Sequence, residues 1–335
     1  MQKYFLFFLL LIISCARNND PLSHQDQDNN QMVISDYQYA AFKYFFVDSF
    51  YADYFEKGFS ANLEAFNASS EHFIEKLEVF VSTTYSDVDV ISGIASTNPS
   101  KYDSIDRQGL DQLSPKEGEL EKGFFRLLVR GKDYFFTDLG SILGFFYLNR
   151  QVDASETIAI AYQTKSKKVG TFISDYVQDA KNNVLNLKLI KCQNMSPDNK
   201  SLWNLMMKNV YEVQDSSMQN LLDKKIIIEY EQNGKWTEIQ PNPPEKPFTF
   251  LLGLDIKNNS SGEPSDSGDG LLDSNFLAEF YKKGKLIFPS LQPFDPFPGS
   301  RFQLNSKNRS KIYFLSPRDL NNLKHNSRFR IRFEK

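Results

Sequence analysis

The segment LGFFYLNRQVDASETIAIAYQT, residues 143–164, constrains the fold most strongly, because it shows two β-strand patterns around a polar turn. In its second half Ile158, Ile160 and Tyr162 alternate with smaller residues, which places one set of side chains on each face of a strand. Apolar and aromatic residues precede the polar turn NRQVDASE. The pattern predicts a β-hairpin, and the segment carries no catalytic motif.

Strand patterns recur along the chain and set the fold class. They are found in KLEVFV, FFRLLVRG, KVGTFISDYV, NVLNLKLIKC, GKLIF and RFRIRFEK. KKIIIEYEQNGKWTEI predicts a second hairpin, since Asn233-Gly234 is a strong turn signal between strands. The patterns predict a mainly β fold of the α+β type, a β-rich sandwich-like domain with a few short helices. Polar stretches interrupt the strands too often for a closed membrane barrel, so no membrane barrel is predicted.

Two segments have helical patterns. Phe42, Phe46, Phe50 and Tyr54 recur every four residues, which predicts one apolar helix stripe that ends near Gly58 and packs in the core. LWNLMMKNVYEV predicts a short amphipathic helix with Trp203 in the core. Between them, residues 85–121 are polar and irregular, which indicates a long connection or a boundary between two lobes.

The N-terminus predicts export. Residues 1–14 contain one Lys and an apolar run of signal-peptide length, and they lead directly to Cys15. The ending LIISC resembles a bacterial lipobox, so Cys15 is the predicted lipidation site, with a polar tether over residues 15–35 and a folded domain over 36–335. The predicted location is the cell outer membrane, held by acyl chains such as palmitate, on its periplasmic or surface face. The alternative is an ordinary secretory signal with a chance Cys.

Composition excludes several classes of protein. The 335-residue chain has a formal net charge of −3, which does not suggest the basic surface that nucleic acid requires. Its three His are scattered, and no nucleophile motif or phosphate-binding glycine loop is present. With Cys15 acylated, Cys192 has no partner for a disulfide. The chain is therefore predicted to be no enzyme, and 30 Phe and 16 Tyr supply its core.

One loop carries a metal hypothesis. LDIKNNSSGEPSDSGDGLLD, residues 254–273, concentrates carboxylates among Gly and Ser, and these are the hard oxygen donors that Ca²⁺ prefers. The candidate calcium ligands are Asp255, Asp266, Asp269 and Asp273. Their spacing does not match an EF-hand, so the alternative is a solvated acidic loop without a cofactor.

Several collinear segments resemble a known family. GKDYFFTDLGSILGFFYLNRQVDASETIAIAYQTKSKKVGTF is similar to the N-terminal-type repeat of the SprA/Sov family, outer-membrane translocon proteins of the type 9 secretion system and of gliding motility. LWNLMMKNVY, LLGLD, GDGLLD, GKLIFPSLQPF and KIYF follow in the family's order. The resemblance implies a β-rich module connected with protein secretion, with no catalytic residues. Family members are several times longer and contain a membrane barrel, so the resemblance does not carry a pore over to this chain.

Three functions follow as hypotheses. The first is a non-enzymatic lipoprotein that binds or scaffolds secretion-system or cell-envelope proteins through an exposed sheet edge or aromatic patch. The second is a surface lipoprotein that binds glycan or another polymer, with Trp236 after the tight turn as a stacking platform. The third is a hydrolase, which no visible triad or metal cluster favours.

Overall fold

The structure, a computed structural model, describes residues 31–61, 70–84, 90–176, 184–240, 245–295, 311–316, 319–320, 322 and 327–334. The predicted signal peptide, Cys15 and most of the predicted tether lie outside the described residues. The strands, in chain order, are β1 Gln31–Ser35, β2 Tyr44–Phe46, β3 Lys76–Thr83, β4 Val90–Ser96, β5 Leu120–Leu127, β6 Tyr134–Phe135, β7 Phe145–Leu148, β8 Ile158–Gln163, β9 Lys168–Val169, β10 Leu185–Lys191, β11 Val210–Glu212, β12 Lys225–Gln232, β13 Lys235–Thr237, β14 Lys285–Ile287 and β15 Phe329–Glu334.

The helices are mostly of one or two turns. The α-helices are α1 Ser49–Ala61, α2 Arg107–Gln112, α3 Asp138–Leu143, α4 Lys200–Trp203, α5 Phe248–Leu251 and α6 Ala278–Tyr281. Short 3₁₀ turns cover Ser70–His72, Pro99–Tyr102, Ile173–Asp175, Ser216–Met218, Leu221–Asp223 and Ile312–Phe314. The predicted β-rich fold with a few short helices is therefore confirmed.

The largest sheet closes on itself. Its strands run in the order β10-β4-β5-β3-β8, and β10 also pairs with β8, which makes a closed barrel of five strands with β9 attached to β8. All pairs are antiparallel except β10 with β4. The sequence pattern predicts a sandwich instead, because strand periodicity does not specify that strands far apart in the chain will pair.

Side-chain burial identifies the inside of the barrel. On β5, Phe124 and Arg126 are exposed while Phe125 between them is buried, so the face of Phe125 points inward. Through the strand register the same face carries Phe80, Ala159 and Leu189, all fully buried. The interior of this small barrel is therefore filled by its own side chains.

An open sheet of four strands brings the two ends of the described chain together. Its order is β1-β15-β12-β13, and Gln31 pairs with Glu334. On β15, Phe329, Ile331 and Phe333 are fully buried and alternate with charged residues, as the sequence pattern predicts. The predicted β12–β13 hairpin is confirmed, with Asn233 at φ 53° and Gly234 at φ 78°.

Strands β2, β7 and β6 form a third sheet of aromatic residues, and β11 and β14 form a fourth of two strands. The rings of Tyr44 and Phe135 both stack on Tyr147, each with centroids 5.1 Å apart. Most buried apolar side chains join one contiguous cluster that extends from Met32 to Phe333. The aromatic content therefore builds the core, as predicted.

The hairpin predicted over residues 143–164 is wrong: both of its strands exist, but they do not pair with each other. Strand β7 pairs with β2 and β6, whereas β8 pairs with β3, β9 and β10. An ion pair holds the turn between them together, since the Arg150 guanidinium donates to the Glu156 carboxylate at 2.5 and 2.7 Å. Both strands are buried on both faces, so each recruits partners from elsewhere in the chain. Strand β8 also forms a hairpin with β9, with residues 164–167 at the turn.

The helix predicted from the aromatic residues at 42, 46, 50 and 54 differs from the observed helix α1 at both ends. Residues 44–46 form β2, Phe42 has a positive φ of 56°, and the helix runs only from Ser49 but continues through Gly58 to Ala61. Phe42 and Phe46 are buried, whereas Phe50 is 43% exposed, so the spacing of four does not mark one stripe. Residues 44–46 form a strand because they pair with β7, and this tertiary contact outweighs their helical spacing.

Three further predictions need correction. Residues 85–121 include β4, which lies between β10 and β5 in the barrel, so this segment is not merely a connection. In LWNLMMKNVYEV only residues up to Trp203 are helical, and Val210–Glu212 form β11, although Trp203 is buried as predicted. The predicted tether is too long, because residues 31–35 form β1 with Met32 and Ile34 buried.

Candidate functional site

Two of the predicted calcium ligands accept hydrogen bonds from the backbone of their own loop. Asp255 is buried and accepts the N–H groups of Asp269 and Gly270 at 2.8 and 2.7 Å. Asp273 is buried as well and accepts the N–H groups of Ile256 and Lys257, both at 3.1 Å. These two carboxylates hold the loop together by accepting four of its backbone N–H groups.

The other two predicted ligands do not complete a metal site. Asp269 accepts the N–H of Asn259 at 2.7 Å and that of Leu271 at 3.0 Å. Asp266 is fully exposed and lies 3.9 Å from the ammonium of Lys246. Within the described ranges, no three His, Cys, Asp or Glu side chains are grouped so that they hold a metal ion. The structure therefore does not group the four aspartates as metal ligands. Asp255, Asp269 and Asp273 accept hydrogen bonds from the backbone of the loop, whereas Asp266 is exposed.

Cys192 is a core residue. Its side chain is buried and unpaired by any disulfide. Burial raises the pKa of the Cys192 thiol to about 11, and the nearby Glu121 adds to that rise. Because the thiolate is the reactive form, this cysteine is a poor nucleophile at neutral pH.

Lys208, by contrast, is a buried charge that the sequence pattern did not single out. It is enclosed in the core, and its ammonium donates to the carbonyl groups of Trp203 and Met206. Burial lowers the pKa of Lys208 to about 7. Its partners are backbone carbonyls, so its position is structural and not that of a catalytic base.

The strongest candidate for a contact surface lies at the edge of the open sheet. We define the β13 surface by Trp236, Glu238, Ile239, Arg330 and Arg332. Strand β13 is three residues long and ends the sheet, and it leaves Trp236 36% exposed and Ile239 48% exposed. Trp236 was predicted to be exposed because it follows the tight turn, and this is confirmed.

The β13 surface is held in place by a ladder of charges. Glu229 is buried and accepts Arg330 Nε at 2.6 Å and Arg332 Nε at 3.3 Å. Arg330 in turn lies over the indole ring of Trp236, with its guanidinium carbon 4.3 Å from the ring centroid. The buried carboxylate thus fixes both arginines, and one of them fixes the tryptophan.

Arg332 extends this ladder of charges to the edge of the sheet. Arg332 also donates to Glu238 at 3.0 Å, beside Ile239. Charged groups on this surface therefore satisfy each other, whereas the indole of Trp236 and the side chain of Ile239 remain partly uncovered. Tryptophan and arginine held rigidly at a surface are typical of positions that contribute most to protein binding. The alternating Arg of RFRIRFEK was the sequence signal for this ladder.

Comparison with known proteins adds no relatives to this geometry. No protein-family model matches the chain, and no curated protein matches it. In the described part of the chain, none of the helices has the length and apolar character that crossing a bilayer requires.

Proposed function

We propose that the chain is a non-enzymatic lipoprotein of the bacterial outer membrane that binds or scaffolds proteins of the type 9 secretion and gliding machinery. The resemblance of its segments to the SprA/Sov N-terminal repeat supports the biological process. The predicted lipidation of Cys15 supports the location. The β13 surface is the proposed contact site.

The observation that carries the binding role is the exposed Trp236 at a short sheet edge, held by Arg330 and Glu229. The backbone directly after β13 is already paired, since Phe248 donates to the Glu238 carbonyl and Gln240 donates to the Lys246 carbonyl. The contact therefore rests on the aromatic ring, which offers apolar area to a partner. Since the side chain is already positioned in the free protein, binding does not have to order it. The proposed partner is a translocon protein that places an apolar pocket over Trp236.

The test is an affinity pull-down of the lipidated protein from its native membranes, read by mass spectrometry. We expect recovery of a SprA-like translocon protein with the unchanged chain, and loss of that protein with Trp236→Ala and with Cys15→Ala. Val129→Ala is the matched control, because Val129 is 55% exposed and lies outside the β13 surface. Recovery of the bait alone, or equal recovery with Trp236→Ala, contradicts the proposal.

A glycan-binding role is the second candidate, and the exposure of Trp236 favours it as well. Indole rings stack on sugar rings, but Arg330 already covers part of this ring. Binding of surface polysaccharide that Trp236→Ala abolishes would favour the second candidate. Binding that is indifferent to this substitution would remove Trp236 from it.

A further inference from the structure

A small cleft lies on the outer face of the barrel, remote from the β13 surface in sequence. Residues of β5 and β8, of the turn before β6 and of the turn between β7 and β8 line it. Its volume is about 130 Å³. A protein cavity of roughly 150 Å³ holds one benzene molecule, so the cleft has room for a ligand group of about six or seven non-hydrogen atoms.

The strand register places the sheet residues of the cleft on one side of the barrel wall. Val81 of β3 pairs with Arg126 of β5 and with Ile158 of β8, and side chains paired across strands point to the same side of a sheet. Phe125 points into the barrel, so Arg126 points out of it. Arg126 and Ile158 therefore line the same outer side.

The buried residues of the lining are all apolar. They are Leu128, Leu148, Val152 and Ile158, each at most 7% exposed. We call them the floor of the cleft. The floor offers no hydrogen-bonding side chain, so a polar group pressed against it would lose water without gaining a partner. The part of a ligand that reaches the floor is therefore expected to be hydrocarbon.

The exposed residues of the lining are all polar, and positive charge predominates among them. They are Arg126, Lys132, Asn149 and Arg150, and we call them the rim. Asp133 is half-buried and is the one carboxylate in the lining, so the lining has a formal net charge of +2. This charge favours an anionic group at the rim.

The charged groups of the lining differ in how far they are engaged. Asp133 accepts the Val129 N–H at 2.9 Å, and Arg150 is held by Glu156. The side chains of Arg126 and Lys132, in contrast, have no hydrogen-bond or ion-pair partner among the described residues. Their guanidinium and ammonium groups are therefore available to an anion.

We infer that this cleft binds a small monocarboxylate with a short branched apolar chain. The carboxylate pairs with Arg126 and Lys132, and the chain lies against the floor. Inorganic phosphate lacks the apolar part, and a neutral apolar molecule leaves both cations unused. A free amino acid brings an ammonium group that the rim cations repel. The site does not depend on the β13 surface or on the protein partner proposed for it.

Two sources present this chemistry. One is a free branched-chain acid. The other is the C-terminal leucine or valine of a peptide, whose nitrogen is in an uncharged amide. Both place a carboxylate beside a branched hydrocarbon chain, and the rim is open to solvent, where the rest of a peptide would extend.

The test is a ligand-observed NMR titration of the protein, purified from its native membranes in a non-ionic detergent, at pH 7.5 and low salt. The probes are isovalerate for the free acid and acetyl-alanyl-leucine for the peptide terminus. Isovaleramide has the same shape without the charge, and inorganic phosphate has charge without the chain. We expect at least one carboxylate probe to bind at least tenfold more tightly than either control.

Substitutions in the rim locate the binding. Arg126→Gln and Lys132→Gln are each expected to weaken binding of the carboxylate at least fivefold, because each removes one of the two available cations. Arg107→Gln is the matched control, since Arg107 is exposed at the start of α2 and lies outside the cleft. All three are surface residues, so the variants are expected to fold.

The remaining outcomes decide the source or overturn the inference. Binding of isovalerate alone assigns the cleft to free acids, and binding of the peptide alone assigns it to a chain terminus. Absence of binding of both at 10 mM overturns the inference, as does equal binding of isovaleramide or phosphate. Binding that Arg126→Gln and Lys132→Gln leave unchanged overturns it too. Trp236→Ala is expected to leave carboxylate binding intact, so this result is separate from that of the pull-down.

Discussion

At the scale of single residues, Lys208 makes a measurable contribution to the pH dependence of stability. Folding lowers the pKa of Lys208 from 10.5 to about 7 because the side chain is buried. Between those values the unfolded chain binds a proton that the folded chain does not, so the free energy of unfolding rises with pH. The rise is up to about 1.4 kcal/mol per pH unit, and below pH 7 Lys208 adds no further dependence.

Urea unfolding of the unchanged protein and of Lys208→Met at pH 7, 8 and 9 checks this prediction. We expect the unchanged protein to gain stability relative to the variant as the pH rises. Lys191 and Lys285, whose pKa values burial lowers to about 8, titrate in both proteins and cancel. A pH-independent difference contradicts the prediction, and NMR titration of the Lys208 Nζ provides the same test if the variant does not fold.

The aspartates of the 254–273 loop give a second prediction. Asp255→Ala removes the carboxylate that accepts the part-buried amides of Asp269 and Gly270, and it is expected to lower the free energy of unfolding by about 2–3 kcal/mol. Asp266→Ala is the matched control, since Asp266 is fully exposed, and its effect is expected within about 0.5 kcal/mol. Urea titration measures both.

The unchanged protein and Asp255→Ala also test the calcium hypothesis directly. If the carboxylates act only on the backbone, 5 mM CaCl₂ leaves the thermal midpoint of the unchanged protein where it is in EDTA. An upward shift with calcium that Asp255→Ala removes would restore the metal site.

At the scale of elements, barrel closure depends on a glycine in β4. Gly93 pairs with Leu185 of β10 on one side and with Gly123 of β5 on the other. A Cβ on Gly93 would lie 2.3 Å from the Leu185 carbonyl oxygen, whereas a Cβ on Gly123 would have no atom within 4 Å. Gly93→Ala is therefore expected to cost about 2 kcal/mol or more, and Gly123→Ala less than about 1 kcal/mol.

Denaturant midpoints of the two glycine variants provide the measurement. Equal effects of Gly93→Ala and Gly123→Ala would mean that β4 and β10 are not in close parallel contact, and that the barrel is open at this seam.

Elements were predictable where the sequence determines them locally. Asn233-Gly234 requires positive φ at both positions, and the β12–β13 hairpin follows from that alone. β15 was visible because one of its faces meets the core and the other carries charges. The partners of β7 and β8 were not predictable, since both strands are buried on both faces and nothing local selects a neighbour.

The candidate sites were predictable in part for the same reason. Trp236 could be placed at the surface because a tight turn precedes it. The carboxylates of the 254–273 loop were read as metal ligands because composition reveals the acceptors but not the backbone amides that reach them. A cleft at one mouth of the barrel is lined by residues between Ser82 and Gln193, which only the closed sheet brings together.

At the scale of the whole molecule, the continuous core predicts one cooperative unfolding transition. The chain has two Trp, and Trp203 is buried in the main cluster while Trp236 lies on the open sheet. Trp236→Phe leaves Trp203 as the fluorescent reporter, and Trp203→Phe leaves Trp236. In each variant the fluorescence transition is expected to coincide with the loss of far-ultraviolet circular dichroism. Two separated transitions would revive a boundary between lobes.

The pairing of β1 with β15 also decides how the molecule responds to mechanical load. A pull on the chain ahead of Gln31 enters the domain through an edge strand that has one neighbour, whereas β15 is held by strands on both sides. Tension would therefore peel or shear β1 away first, while β15 and β12 stay paired. A domain tethered at this end would therefore lose the five residues of β1, with the buried Met32 and Ile34, before β15 and β12 separate.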